Sequence, residues 1–186
     1  MDAVERFFHS NYITMPIWLL CLLGAATIAS AIIPIVLHKE VKRKVQNCGL
    51  VFFIGYYLVV LCMTVFCRNV PDNSSINLLP FSAYQDYFKE SGEVLKAISM
   101  REILINIYMF IPIGVFVCIC ARWKRSIQMM VVCIVLSSLI EILQLLLHRG
   151  VCELNDIINN TIGALTGIVV AEIVKAGINY VYDFDK

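Results

Sequence analysis

Long apolar stretches alternate along the chain with short polar ones. Crossing a hydrocarbon core of about 30 Å takes roughly 20 mostly apolar residues. Five stretches approach that length, at 13–37, 49–67, 103–121, 127–147 and 157–174, the last two carrying a few polar residues. The pattern predicts an all-α integral membrane protein of about five transmembrane helices, with a long extracytoplasmic segment between spans two and three. Ala29-Ser30-Ala31 resembles a signal-peptide cleavage site, but the uncharged run continues to Leu37, and only Arg6 stands against Asp2 and Glu5 ahead of it. The first stretch is therefore read as a retained span.

Basic residues in short loops resist translocation and so set orientation. Lys39, Lys42, Arg43 and Lys44 lie between spans one and two, and Arg122, Lys124 and Arg125 between spans three and four. Both loops are expected in the cytoplasm, with the amino terminus outside and the carboxyl terminus inside a plasma membrane. The segment 68–102 then faces outward. In it Phe81, Tyr84, Tyr87, Phe88, Val94, Leu95 and Ile98 recur at helical spacings beside charged residues, which predicts short amphipathic helices on the outer interface, broken near Ser91-Gly92. An ordinary loop with an aromatic belt fits the same residues.

Composition narrows the class. The 186 residues are 60% hydrophobic with a mean hydropathy of +0.80, above what a soluble fold can bury. A net charge of +1 gives no bulk attraction to nucleic acid, and none is expected as a partner. Most of the eight cysteines fall in apolar runs, where a thiol behaves as a small hydrophobe. Cys67 and Cys152 are placed on one side, which leaves a bridge between them open. His9, His38 and His148 are far apart, so no metal site is expected, and no phosphate loop, nucleophile elbow or CxxC pair occurs. No cofactor is implied. Asn73-Ser74-Ser75 is an outward glycosylation sequon.

Polar groups inside spans carry the chemistry, since Asp, Lys or Arg at a helix centre costs about 2.5–3.5 kcal/mol on insertion scales. Ser137, Glu141, Gln144 and His148 stack along one face of span four. Glu102 and Asn106 share a face near the start of span three, and Asp156, Asn160, Gly163 and Gly167 repeat the spacing on span five. Glu141 lies about 21 Å from the inner boundary at 1.5 Å per residue. These groups, with Arg149, are expected at one level in an outward polar pocket, with Arg101 or Arg149 as counter-charge for Glu141 or Asp156. A network that merely fixes helix packing predicts the same convergence. Gly163 and Gly167 also form a small-residue contact surface, between helices or between copies of the chain.

Several of these motifs together resemble the VanZ-like family. Asn77-Leu78-Leu79-Pro80-Phe81 looks like its NLxPF signature, and Arg101 with Asn106, Phe110, Pro112 and Gly114 looks like its RxxxxNxxxFxPxG run. Glu141 and Gln144 match an IExxQ element, and Arg149, Asp156, Asn160, Gly163 and Gly167 match the closing stretch, with Glu153 where members often carry Asp. The resemblance covers about 77–174. It divides the chain into two amino-terminal spans (1–70), a VanZ-like domain (71–175) and a cytoplasmic tail (176–186). It implies a plasma-membrane protein associated with reduced susceptibility to glycopeptides, especially teicoplanin, or with a related envelope role. The leading reading is a non-enzymatic factor whose outer pocket, built from Arg101, Asn106, Glu141, Gln144, Arg149, Asp156 and Asn160, engages membrane lipid, the lipid portion of teicoplanin or a lipid-linked wall precursor. Pro112, Gly114, Gly163 and Gly167 are read as packing residues. An enzyme acting on a lipid headgroup, with Glu141 or Asp156 as acid or base, and a small transporter or assembly subunit stand as alternatives.

Overall fold

The computed structural model describes residues 22, 24–26, 28–29, 39–66, 76–89, 92–120 and 126–184. Most of the first apolar run, Arg122, Lys124, Arg125, Cys67 and the sequon at Asn73 lie outside the described residues. Among the described residues from 39 onward, five α-helices carry the fold: α1 (Lys39–Leu61), α2 (Ser82–Lys89), α3 (Glu93–Cys120), α4 (Ser126–Leu146) and α5 (Leu154–Phe184). Two short strands, β1 (Ile76–Asn77) and β2 (Cys152–Glu153), pair in parallel, with Ile76 opposite Cys152 and Asn77 opposite Glu153.

Three helical stretches are long and apolar enough to cross a membrane: Ser99–Ile119, Ile127–Leu146 and Leu154–Gly177. The described part of the second expected span is a shorter apolar helix, Leu50–Phe66. The chain is thus a helical membrane protein, and the described residues supply three spans rather than five. The outward faces of these helices carry Val131, Val135, Leu139, Ile142, Val169, Val170 and Ile173, all exposed. Apolar surface of that extent needs lipid around it.

Three local features differ from the pattern-based reading. Lys39, Lys42, Arg43 and Lys44 form the first turns of α1 instead of a loop, since Lys and Arg are good helix formers. The amphipathic segment does break at Gly92, but the half after the break joins span three as one 28-residue helix. Nothing between Glu93 and Ser99 stops a helix, so an apolar run and the amphipathic turns before it propagate together. Likewise α5 continues to Phe184 through the expected tail.

The core forms where α3 lies against α5. A Cβ built on Gly163 would overlap the backbone of Ile107, one on Gly167 that of Ile111, and one on Gly114 that of Ala164. Even the Ala164 carbonyl carbon would stand 2.8 Å from the added atom at Gly114. The paired positions rise together, 107 with 163 and 111 with 167, so α3 and α5 run parallel, and α4, which joins them in sequence, runs the opposite way. Close backbone approach maximises dispersion contact where lipid offers no hydrophobic drive for association. Around this seam Phe110, Ile113, Cys133, Ile140, Ala164 and Ile168 are buried.

Helix α1 packs on the other side of α3. Phe53 stacks on Phe116 with ring centroids 4.4 Å apart. The Tyr56 hydroxyl donates to the Met109 carbonyl at 2.8 Å and ties α1 to α3. Tyr57 donates to the Leu136 carbonyl at 2.8 Å and ties α1 to α4. Pro112 is itself buried and faces Gly24, where an added Cβ would stand 3.1 Å from its ring.

Candidate functional site

At the end of the bundle where α3 and α5 begin and α4 finishes, polar side chains are buried together. Ser137, Glu141, Gln144, Asn155, Asn159 and Asn160 are each at most 3% exposed. In lipid such groups must satisfy one another, and hydrogen bonds stitch them across the elements. Asn106 donates through Nδ2 to Asp156 Oδ1 at 2.7 Å, joining α3 to α5. Asn160 Nδ2 donates to Ser137 Oγ at 2.9 Å, joining α5 to α4. Glu141 Oε2 accepts the Glu153 backbone N–H at 3.0 Å, fixing the strand that precedes α5.

Gln144 turns the other way. Its Nε2 donates to the Thr64 carbonyl at 2.9 Å, in the π-helical turn Cys62–Phe66 that ends α1. Carbonyls in a last helical turn have no intrahelical partner, so a side-chain amide is a natural cap. Arg149 is placed by its backbone, whose N–H donates to the Gln144 carbonyl at 2.8 Å, while its side chain is partly buried. Arg101 is also partly buried, on α3 ahead of Asn106, and His148, with φ 52, is exposed. The positive φ turns the chain from α4 toward β2.

The loop before α2 is bound to the same end. Asn77 Oδ1 accepts the Leu79 N–H at 3.2 Å, and Asn77 Nδ2 donates to Ser82 Oγ at 3.1 Å. Asn155 donates to that same hydroxyl and, at 3.4 Å, to the Leu79 carbonyl. The Tyr84 hydroxyl donates to Asn159 Oδ1 at 2.6 Å. Phe81 has φ 60, a conformation seldom taken by bulky residues, and its carbonyl accepts the Gln85 N–H at 3.0 Å to start α2. The result is a pinned loop that displays Leu78, Leu79 and Phe81 at 65%, 69% and 54% exposure.

Asn155, Asn159, Ser82 and Tyr84 were not among the site residues read from the sequence. Asn155 and Asn159 had a partial signal in the doubled i, i+4 pattern at the start of α5, where they run beside Asp156 and Asn160, and Ser82 and Tyr84 had none. Cys152, in β2, is a free thiol. Its pKa is pushed up, first by burial and then by the carboxylates of Glu141, Asp156 and Glu153. No three His, Cys, Asp or Glu side chains among the described residues converge as metal ligands.

A model described as VanZ/LLP1 matches residues 53–175. The chain belongs to the VanZ/LLP1 family. The family match includes the last part of α1, from residue 53 onward, which motifs alone had not linked to the rest. Protein VanZ of Enterococcus faecium is 28% identical over 94 residues. That alignment covers 50% of this chain, and the chain spans about half the length of this curated relative. No solved structure matches the chain. In this VanZ/LLP1 chain every described element from α1 to α5 contributes to the polar end or the seam beneath it.

A second polar group lies toward the far end of α3 and α5. Lys175 Nζ donates to the Cys118 carbonyl at 2.7 Å and pairs with Glu172 Oε1 at 3.2 Å, while Cys118 Sγ donates to the same carboxylate oxygen at 2.9 Å. Glu172 and Lys175 sit at the rim of the bundle, where a long side chain can keep its charge near the interface.

Proposed function

We propose that this chain is a plasma-membrane envelope factor that lowers susceptibility to glycopeptides such as teicoplanin by engaging an amphiphile at its outward polar end. Family membership and the distant similarity to Protein VanZ support the resistance role. Basic residues around spans one to four support the outward placement. The observation that carries the ligand class is the juxtaposition at Asn155, which binds the buried acid–amide cluster to a loop displaying Leu78, Leu79 and Phe81. A polar head would meet the cluster while its acyl chain lies along the loop and the adjoining lipid. Arg101 and Arg149 stand at the margin, and Arg149 contributes charge to the same site.

Expression in a susceptible Gram-positive host, with teicoplanin and vancomycin tested side by side, examines this reading. Glu141→Gln, Asp156→Asn and Arg149→Gln should reach the membrane at normal levels by immunoblot and lose protection against teicoplanin. Full protection by all three, or loss that tracks loss of protein, would return the cluster to a packing role. Reporter fusions test the orientation. A periplasmic-type reporter fused after Arg125 should be silent, and a cytoplasmic reporter placed within 82–99 should be silent as well. Activity of either would move the cluster to the inner face.

A further inference from the structure

The loop that leads into α2 is held at the level where a span begins. Asn155, the second residue of the span Leu154–Gly177, bonds to Leu79 and Ser82, and Asn159 on the same helix accepts from Tyr84. At 1.5 Å per residue these two asparagines lie about 1.5 and 7.5 Å along the span. A span of 24 residues is about 36 Å long against a hydrocarbon core of about 30 Å. Its first turn therefore stands where acyl chains meet headgroups, and the loop is fastened beside it.

The main-chain polar groups of the loop set it apart from an ordinary surface turn. In water an exposed backbone N–H or C=O needs no protein partner, whereas beside lipid each must find one. At the tip, the Leu79 N–H donates to Asn77 Oδ1 at 3.2 Å, and the Leu79 carbonyl accepts from Asn155 Nδ2 at 3.4 Å. Pro80 has no N–H to satisfy. The Phe81 carbonyl accepts the Gln85 N–H at 3.0 Å, and Ile76 and Asn77 pair with β2. Polar groups are turned toward Asn77 and Asn155, while the side chains of Leu78, Leu79 and Phe81 are left exposed. Phe81 holds this arrangement at φ 60, a costly conformation for a bulky residue that its surroundings must impose.

We infer that the tip Leu78–Phe81 is a wedge seated in the lipid leaflet at the polar end of the bundle, and that its partner is the lipid surface itself. Exposed apolar side chains at this level are not confined to the loop. Leu104, early in the span of α3, and Leu146, at the end of α4, are exposed as well. A protein partner would cover one patch, whereas lipid meets several elements at one depth. The inference holds for either orientation of the chain and does not depend on the resistance role. Through Asn155 the wedge fixes the depth at which the polar cluster meets the membrane.

The test uses the full chain in phosphatidylcholine nanodiscs, with Trp18 and Trp123, the two native tryptophans, replaced by Phe. Leu78→Trp and Leu79→Trp are introduced singly, so that one reports if the other fails to accumulate. Leu165→Trp, midway along the span of α5 and exposed, is the reference for a side chain deep in lipid. Fluorescence is read in lipids brominated close to the headgroup, in lipids brominated close to the chain end, and with acrylamide in the water. Leu78→Trp and Leu79→Trp should lose more signal to the shallow bromines than to the deep ones, and little to acrylamide. Leu165→Trp should show the opposite order of bromines. Loss to acrylamide with no response to either brominated lipid would put the loop in water and overturn the assignment. Protection from all three quenchers would mean that protein, another segment or a second copy, covers the tip, and would overturn it as well.

Discussion

Along α3 and α5 the contact between the helices changes character within a few turns. At Gly114, Gly163 and Gly167 backbone lies on backbone with no room for a methyl group. Nearer the helix starts, Asn106 donates to Asp156, beside buried acceptors that have no donor among the described residues. The first region is saturated in shape and the second is unsaturated in hydrogen bonding. A membrane protein gains its fold from the former, because lipid competes poorly with close van der Waals packing. The latter is costly to keep, which is expected of a region retained for something other than stability.

The comparison predicts its largest effect at the seam. Gly163→Leu and Gly167→Leu would drive a side chain into the backbone of α3, and overpacking costs about 1–3 kcal/mol even where neighbours can shift. Backbone cannot shift as a side chain does, so both variants should accumulate poorly and elute as aggregates from detergent. Normal accumulation of both would show that the seam yields, and the contrast between the two regions would collapse.

A smaller effect is expected where the polar end contributes to structure. Glu141→Ala removes the acceptor of the Glu153 N–H, and a buried donor left unpaired costs about 1–3 kcal/mol. Glu141→Gln keeps an oxygen in place and should cost well under half as much. Thermal denaturation of the two variants beside wild type checks this order. If both are as stable as wild type, the bond to β2 holds nothing. If Gln is as damaging as Ala, the charge rather than the acceptor is structural.

How much of this could be read in the sequence differs between the same two regions. Spacing alone marked Gly163 and Gly167 as a contact surface, because a repeat of four on a helix names one face whatever the partner is. The partner residues Ile107 and Ile111 carried no mark, since only their backbone is touched. At the polar end the level of Glu141, Asn106 and Asn160 followed from counting along helices. What escaped was the direction of each side chain. Gln144 shares a face with Glu141 yet bonds to α1, and Asn155 was hidden because its partners, Leu79 and Ser82, lie 76 and 73 residues away. The β1–β2 pairing was also invisible, as two-residue strands leave no alternation to detect. Long-range pairing between a loop and a helix start has no local signature.

The most delicate effect concerns Cys152, which reports on the charge state of the polar end without altering it. Its thiol is pushed up by burial first and then by Glu141, Asp156 and Glu153. Only the thiolate reacts with maleimides, so a raised pKa means a smaller reactive fraction near neutrality and a labelling profile displaced to higher pH. Restricted access lowers the rate at every pH but leaves the midpoint of the profile in place, so the midpoint is the quantity to follow. N-ethylmaleimide labelling of the full chain, resolved at Cys152 by mass spectrometry, should show a midpoint above that of a free model thiol. In Glu141→Gln and in Asp156→Asn one negative charge is removed, the thiolate is less disfavoured, and the midpoint should fall partway back. The shift should shrink with added salt to the extent that the site is open to solvent. A midpoint unchanged in both variants would mean that these carboxylates are not ionised beside Cys152, and the polar end would lose the negative field read there.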